Sequence, residues 1–192
     1  PPGVIHEAEE LEKEGTGLIA KATEKALAEG TRKDFRDATT FTIDPFDAKD
    51  FDDALSVRKL QNGYTEIGVH IADVSYFVRT GTSIDTEGRS RATSVYLVDR
   101  TIPMLPEVLS TNLCSLNPNE DRLAVSAVFE LDSQAGIVNR WFGETVIHSD
   151  KRFTYENAQE VLDNNAGEFL EELTTLKNLA DVIRERRVKN GA

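Results

Sequence analysis

The sequence predicts a mixed α/β (α+β) fold in which helices pack around a largely antiparallel sheet. Asn62-Gly63 separates two strand-like segments, and this dipeptide is a strong signal for the turn of an antiparallel hairpin. Amphipathic helical spacing occurs near both ends, and 192 residues with 39% apolar content suffice for one domain with a core. Alternating or short apolar stretches predict strands over 40–43, 55–60, 65–74, 93–97, 123–131 and 137–147.

Helices are predicted from apolar spacing and from the residues that end them. The glutamate-rich stretch 1–14 is amphipathic, Gly15-Thr-Gly17 interrupts it, and a second helix over 18–29 ends at Gly30. We therefore expect residues 1–31 to be a helical lead-in to a domain that begins at residue 32. Further helices are predicted over 83–92 with Ser83 as N-cap, over 107–109, after Thr154, and over 168–189.

The register of the predicted hairpin decides which acidic residues approach one another. A two-residue turn would set Leu55 opposite His70. We instead expect a three-residue loop that sets Leu55 opposite Ile71, because this pairing places apolar residues together on one side of the sheet. The same register would set Asp73 opposite Asp53. In the strand over 123–131, the alternation places one set of apolar residues on a single face: Leu123, Val125, Ala127, Phe129 and Leu131.

Charge and cysteine content limit the classes of function. The net charge of −12 argues against a surface that coats nucleic acid, because phosphate binding depends on Lys and Arg. It leaves room for an enzyme that acts on a phosphodiester through a bound metal, which supplies positive charge locally. The single cysteine, Cys114, excludes an intrachain disulfide and fits a reducing cytoplasm. No apolar run is long enough for a membrane span.

A small basic group precedes the first predicted strand. It comprises Arg32, Lys33 and Arg36 and lies beside Asp34 and Asp37. These cations either pair with the aspartates or contact phosphate, and the sequence leaves both interpretations open.

An acidic cluster is the strongest functional signal in the chain. Apolar residues are threaded between its members, which distinguishes it from a disordered acidic run. Carboxylates held together in a folded framework repel one another unless a cation neutralises them. Hard oxygen ligands favour Mg²⁺, Mn²⁺ or Ca²⁺, so we predict a metal site. The cluster consists of Asp44, Asp47, Asp50, Asp52 and Asp53.

Three other interpretations of the cluster are weaker. An EF-hand starting at Asp50 meets Ala54 where a ligand is needed, and one starting at Asp44 meets Phe46. Asp44 follows a predicted strand, as a phosphotransferase nucleophile would, but the acids after it are spaced more like metal ligands. A solvated acidic turn is the remaining alternative.

The cluster lies in a motif that resembles a known family. Thr42-Ile-Asp-Pro-Phe-Asp-Ala-Lys-Asp-Phe-Asp-Asp-Ala-Leu55 is similar to the active-site signature of the RNase II/RNase R family of 3′-to-5′ exoribonucleases, in the RNB catalytic domain. The likeness is greatest to the bacterial RNase R branch. It extends over residues 32–191 through further segments in the same order: 68–74, 93–97, 113–126 and 153–155.

The resemblance implies a role for six residues. Tyr96 matches the tyrosine that packs against the 3′-terminal nucleotide. Tyr155 matches the tyrosine near the next ribose, which favours RNA over DNA. The family's four catalytic aspartates, which hold Mg²⁺ and for which we expect Mn²⁺ to substitute as the metal, correspond to Asp44, Asp50, Asp52 and Asp53. Asp47 falls where the family varies.

The resemblance also implies a reaction. It is the hydrolytic removal of nucleoside 5′-monophosphates from the 3′ end of single-stranded RNA, in the cytoplasm. Two Mg²⁺ ions about 3.5–4 Å apart would activate the attacking water and stabilise the leaving 3′-oxygen.

Domains of this family continue well past Ala192. Residues 32–192 are therefore expected to be the N-terminal part of the catalytic domain, truncated at its C-terminal side. The second aromatic of the nucleotide clamp, an assisting Arg and Glu, and the flanking oligonucleotide-binding modules would come from the absent part. We expect the chain to fold but to be nearly inactive alone. The alternative is a non-catalytic RNA-binding or scaffolding fragment whose acidic loop binds a structural cation.

Overall fold

The computed structural model of the protein describes residues 1–191. Its helices are α1 Pro2–Glu29, α2 Val74–Phe77, α3 Ser83–Arg91, α4 Tyr155–Asn164 and α5 Leu170–Lys189, with a π-helical segment over Val108–Leu113. Its strands are β1 Lys33–Asp34, β2 Thr39–Asp44, β3 Asp53–Lys59, β4 Thr65–Ala72, β5 Val95–Tyr96, β6 Thr101–Ile102, β7 Asp121–Leu131, β8 Ile137–His148 and β9 Lys151–Thr154.

Seven strands form one sheet in the order β1-β8-β7-β4-β3-β2-β9. The central pairs are antiparallel, whereas β1 runs parallel to β8 and β2 runs parallel to β9. Strands β5 and β6 form a separate antiparallel ribbon. The predicted mixed α/β fold with a largely antiparallel sheet is confirmed.

The β3–β4 register differs from the expected one by two residues. Leu55 pairs with Val69 rather than Ile71, and Asp53 pairs with Ile71 rather than Asp73. A three-residue loop over 61–63 sets this register, because the Leu60 N–H donates to the Tyr64 carbonyl at 3.0 Å. A shift of two residues keeps every side chain on its side of the sheet, so apolar residues still face one another.

Asp73 consequently has a structural role rather than a place in the acidic cluster. Strand β4 ends at Ala72, and the Asp73 side chain caps α2 by accepting from the Tyr76 N–H. Asp73 is buried and forms an ion pair with the buried Arg32. Burial opposes its ionisation, yet hydrogen bonds from Ser75 and Arg32 hold the pKa of Asp73 below its usual value.

The basic group before β1 therefore pairs within the protein. The Arg32 guanidinium bonds Asp73 and the carbonyls of Ala124 and Thr145. Arg36 bonds Asp34 and Asp121, and Lys33 lies 3.9 Å from the centre of the Trp141 ring. The pairing interpretation accounts for the two arginines; Lys33 instead packs against an aromatic ring.

Several predicted ends of elements shift in the structure. Helix α1 contains the predicted break, because Gly15 has φ 51° and ψ −144°, and it ends at Gly30 in the left-handed region. Helix α3 is capped by Thr82, not Ser83. The turn expected over 107–109 is instead the π-helical segment over Val108–Leu113.

Helices cover the two faces of the sheet unequally. One face packs Ala54, Ala72, Ala124 and Val128 against α1, α2, α3 and the π-helical segment. On the other face, α4 and α5 cover Phe41, Phe153 and Val57. The apolar face predicted for β7 is only partly buried: Val125 is 45% exposed, whereas Ala124, Ser126 and Val128 on the opposite face are buried.

A buried polar network lies in the middle of the sheet under α1. His70 is fully buried, with Nδ1 2.6 Å from Ser126 Oγ and Nε2 2.9 Å from Ser56 Oγ. Ser126 Oγ continues to Thr145 Oγ1 at 2.6 Å. Each ring nitrogen has one hydroxyl partner, so the neutral imidazole is satisfied without a charge.

Within residues 1–191, no helix is both long enough and apolar enough to cross a bilayer.

Gly68 lies beside the buried His70 network, where an added side chain would collide with its neighbours. A Cβ there would be 2.5 Å from His70 Nε2 and closer still to Ser56 Oγ. We expect Gly68→Ala to lower the free energy of unfolding by about 1–3 kcal/mol through overpacking. Urea denaturation measures this, with Gly17→Ala as control. Gly17 is helical with no atom within 4 Å of an added Cβ, so the control variant is expected to be no less stable. Equal loss in both variants would contradict the close-approach argument.

His70 is expected to make stability depend on pH. Burial lowers the pKa of His70 from 6.5 to about 4. The unfolded chain therefore binds the proton first, and stability present above pH 6.5 is lost as the pH falls toward 4. The full effect is about 3 kcal/mol. Unfolding free energies at pH 7, 5.5 and 4.5 measure it, and His70→Gln is expected to flatten the profile. The same change at the exposed His6 serves as control, and flattening there would refute the assignment.

Candidate active site

The acidic cluster occupies the connection between two neighbouring antiparallel strands. Asp44 is the last residue of β2 and Asp53 the first of β3. Because β2 pairs Phe41 with Leu55, the end of β2 lies beside the start of β3. We call the intervening residues 45–52 the acidic loop. The connection therefore brings the aspartates at its end, Asp52 and Asp53, back beside Asp44.

The second half of the acidic loop is anchored to the protein by its backbone. Phe51 is buried, and its N–H donates to Ser115 Oγ at 3.0 Å while its carbonyl accepts from the Leu116 N–H at 2.9 Å. The Asp52 carbonyl accepts from the Ala72 N–H at 2.9 Å. Phe51 is therefore the anchor of the loop, and the side chain of the neighbouring Asp52 is exposed.

The four predicted aspartates form one electrostatic unit. Burial, together with repulsion from Asp53 and Asp50, raises the pKa of Asp44. Desolvation by the surrounding protein is the largest cause that raises the pKa of Asp52. Repulsion from Asp50, Asp53 and Asp44 raises it further. The side chain of Asp52 remains accessible to solvent, so the repulsion is screened in part.

Carboxylates in this arrangement suit a hard cation. Asp44 Oδ2 is buried and has no hydrogen-bond partner within residues 1–191, which is a cost that a cation would remove. In the same part of the chain, no three His, Cys, Asp or Glu side chains are close enough to hold one metal ion. An ion bound here would thus use one or two carboxylates and complete its coordination with water, as Mg²⁺ does.

Four aspartates of the acidic cluster, all except Asp53, line a cavity of about 740 Å³. Tyr96 lines the same cavity, and 70% of its surface is exposed. Strand β5, which carries Tyr96, pairs with β6 through Thr101, and this ribbon forms one side of the cavity. The structure therefore brings a predicted aromatic residue to the predicted metal ligands. The charged lining comprises Asp44, Asp47, Asp50, Asp52, Asp99, Glu107, Lys49 and Arg100.

Tyr155 is brought near the acidic cluster by the pairing of β2 with β9. Strands β2 and β9 are parallel and pair Asp44 with Thr154, the residue before Tyr155. Thr154 caps α4 by accepting from the Asn157 N–H at 3.0 Å, so Tyr155 is the first residue of that helix and is 58% exposed. Of the two predicted tyrosines, only Tyr96 lines the cavity.

Some residues of the site gave no signal in the sequence. Asp99, Arg100 and Glu107 reach the cavity only because the β5–β6 ribbon and the segment before the π-helix fold beside the acidic loop. Arg152 contacts the loop directly, since its Nη2 donates to the carbonyls of Pro45 and Phe46. Packing of the separate β5–β6 ribbon beside the loop and pairing of β9 with β2 produce these contacts, and local patterns cannot show them.

Comparison with known proteins gives a consistent family assignment. A family model, the RNB domain, matches residues 32–192. The chain belongs to the RNB domain family. Ribonuclease R of Thermotoga maritima is 43% identical to this RNB chain over 189 residues, which cover 96% of the chain and 26% of that protein. The protein described as inactive exonuclease DIS3L2 of Arabidopsis thaliana is 43% identical over 177 residues, covering 84% and 17%.

A solved structure of an RNase R is also similar to the fold of this chain. Mycoplasma genitalium RNase R, solved in complex with ribose methylated single-stranded RNA, matches with a TM-score of 0.76 at 34% identity, covering 84% of this chain and 26% of that one. The predicted resemblance to RNase R is confirmed. The RNB chain spans about a quarter or less of the length of these relatives.

Repulsion within the cluster predicts that the Tm rises when one carboxylate is neutralised by substitution and also when a cation binds. Asp52→Asn is expected to raise the Tm of the metal-free chain, because one of the mutually repelling charges is removed. Mn²⁺ is expected to raise the Tm of the unmodified chain more than that of Asp52→Asn. Thermal unfolding with and without Mn²⁺ measures both. Asp47→Asn, a change of equal charge in the same loop, is the control, and an identical response from the two variants would contradict the assignment of Asp52.

Proposed function

We propose that this RNB chain carries the metal-binding part of a 3′-to-5′ exoribonuclease site that releases nucleoside 5′-monophosphates from single-stranded RNA. The observation that supports it most directly is the shared cavity of Asp44, Asp50, Asp52 and the exposed Tyr96. Carboxylates suit a hard cation, and an exposed aromatic ring suits a nucleic-acid base. Relatives named as ribonucleases agree with this combination.

The proposed metal ligands, one or two carboxylates for each of two ions, are Asp44, Asp50, Asp52 and Asp53. Mg²⁺, or Mn²⁺ in its place, would supply the positive charge and water activation that phosphodiester hydrolysis needs. The aspartates themselves contribute position and negative charge: Asp44 and Asp53 stand at strand ends, and Asp52 is held by its backbone bond to Ala72. Without a cation, this concentration of carboxylates would repel an RNA phosphate.

The two tyrosines would orient the RNA. Stacking of a base on Tyr96 is tolerant of sequence and is worth about 1–3 kcal/mol per base, which suits an enzyme that removes every nucleotide in turn. Tyr155 begins α4 beside the end of β2, and we place it by the ribose of the next nucleotide. A 2′-hydroxyl is the group that separates RNA from DNA at such a position.

A second candidate is a non-catalytic RNA-binding or scaffolding role with a structural cation at the acidic loop. It is suggested by the 43% identity to a protein described as an inactive exonuclease. A protein named DIS3-like exonuclease 2 of the same species is equally identical, so the identity does not separate the two roles. Under this role, a cation would change the Tm but no RNA would be hydrolysed.

The two roles are separated by measuring nucleoside monophosphates released from 3′-labelled single-stranded RNA with Mg²⁺. We expect release from a chain extended to the length of its relatives and very little from this chain alone, which covers a quarter or less of them. Loss of one preorganised electrostatic group commonly lowers the rate about 10²–10³-fold. Asp52→Asn in the extended chain is expected to cause a loss of that size, and Asp47→Asn a much smaller one.

Three results would count against this proposal. Equal rates from the short and extended chains would show that the short chain carries the whole machinery. Full activity in Asp52→Asn, or without a divalent cation, would remove the acidic cluster from the reaction. A Mn²⁺-dependent Tm with no hydrolysis in the extended chain would favour the second candidate.

A further inference from the structure

The two halves of the acidic loop are held very differently. The half around Phe51 and Asp52 is bonded to Ser115, Leu116 and Ala72. The half over 45–50 has one internal bond, from the Ala48 N–H to the Pro45 carbonyl at 3.1 Å. Within residues 1–191, the hydrogen bonds that reach 45–50 from outside come from Arg152 alone.

Arg152 contacts both halves at once. Its Nη2 donates to the Pro45 carbonyl at 2.6 Å and to the Phe46 carbonyl at 2.9 Å. Its Cζ lies 5.5 Å from the centre of the Phe51 ring, within the range of a cation–π contact. One guanidinium thus links the start of the acidic loop to the buried anchor at its end.

The position of Arg152 is set by the sheet. Strand β9 pairs Arg152 with Thr42, two residues before Asp44, and the next residue, Phe153, is buried in the core under α4 and α5. The side chain is half-buried, and its Nε is buried without a hydrogen-bond partner in the described part of the chain. An unpaired buried donor is a cost to folding, so this arrangement is not optimal for stability alone.

We infer that Arg152 is a positioning residue that holds the 45–50 half of the acidic loop in the shape that binds the divalent cation. The inference rests on the proposed function, because it assigns Arg152 a role toward the same site. Asp50 belongs to the half that Arg152 holds, whereas Asp44 is fixed by the pairing of β2 with β9. Asp52 and Asp53 are fixed by β3 and its neighbours. Arg152 would therefore govern how the Asp50 carboxylate meets the three carboxylates that the sheet fixes.

Charge alone makes the opposite prediction. The guanidinium lies close enough to Asp44 to favour its ionised form, and a positive charge near a metal site repels the incoming cation. Removing Arg152 would then strengthen cation binding. Removal of a positioning contact would weaken it, since residues that orient metal ligands typically contribute about 10–100-fold in affinity. The sign of the change therefore distinguishes the two roles.

The experiment is Mn²⁺ titration by calorimetry on this chain and three variants, with the Tm of each. Arg152→Met removes the bonds and the charge, and Arg152→Lys keeps the charge but cannot hold two carbonyls and the Phe51 face together. Lys151→Met is the matched control, because Lys151 is the preceding residue of β9 and pairs with Glu168 on the surface. We expect binding about tenfold weaker in Arg152→Met, at the low end of that range. Arg152→Lys is also expected to bind Mn²⁺ more weakly than the unmodified chain. Lys151→Met is expected to keep the affinity of the unmodified chain.

Other outcomes would overturn the inference. Unchanged or tighter binding in Arg152→Met would assign Arg152 a charge effect or none. Affinity equal to the unmodified chain in Arg152→Lys would show that only the charge matters, and this variant decides the question if Arg152→Met does not fold. Weaker binding in Arg152→Met, together with a Tm that falls by as much as the affinity loss would require relative to Lys151→Met, would indicate that Arg152 supports packing in general and not the loop. Absence of Mn²⁺ binding in the unmodified chain would instead reject the proposed metal site itself, and this inference with it.

Discussion

Repulsion among carboxylates at the ends of β2 and β3 is the constraint around which this RNB chain is arranged. The antiparallel register returns Asp53 to the side of Asp44, and the acidic loop adds Asp50 and Asp52 between them. Burial and mutual repulsion raise the pKa of Asp44 and Asp52, so the metal-free cluster opposes folding. Stability given up at a site in this way is typical of places where function requires charge.

The rest of the sheet compensates for that local cost. His70, Ser56, Ser126 and Thr145 form a satisfied buried network, and close packing at Gly68 leaves it no room to rearrange. The network lies on the strands that continue into the site, since β3 begins at Asp53 and β4 supplies the Ala72 N–H that binds the Asp52 carbonyl. Rigid strands therefore fix one half of the acidic loop. The other half depends on a single side chain from β9.

Local patterns were sufficient for some elements and misleading for others. The Asn62-Gly63 turn predicted the hairpin and its three-residue loop, but the predicted register was wrong by two residues. A loop over 61–63 joins Leu60 to Tyr64 and therefore pairs Leu55 with Val69. Apolar alternation cannot detect a shift of two, since such a shift preserves the faces. The error placed Asp73 in the site, whereas its charge is matched by Arg32, which lies 41 residues earlier in the chain.

The sequence by itself determined the mixed fold, the acidic cluster and the family, because these depend on residue types at short spacing. It also predicted, through the motifs around Tyr96 and Tyr155, which aromatic residues to associate with the cluster. Only the tertiary structure decided that Tyr96 shares a cavity with the aspartates, that Arg32 pairs with Asp73, and that Arg152 holds the acidic loop. Each of these arrangements joins elements far apart in the chain. Their geometry is set by how the β5–β6 ribbon, the residue before β1 and strand β9 pack against the rest of the fold.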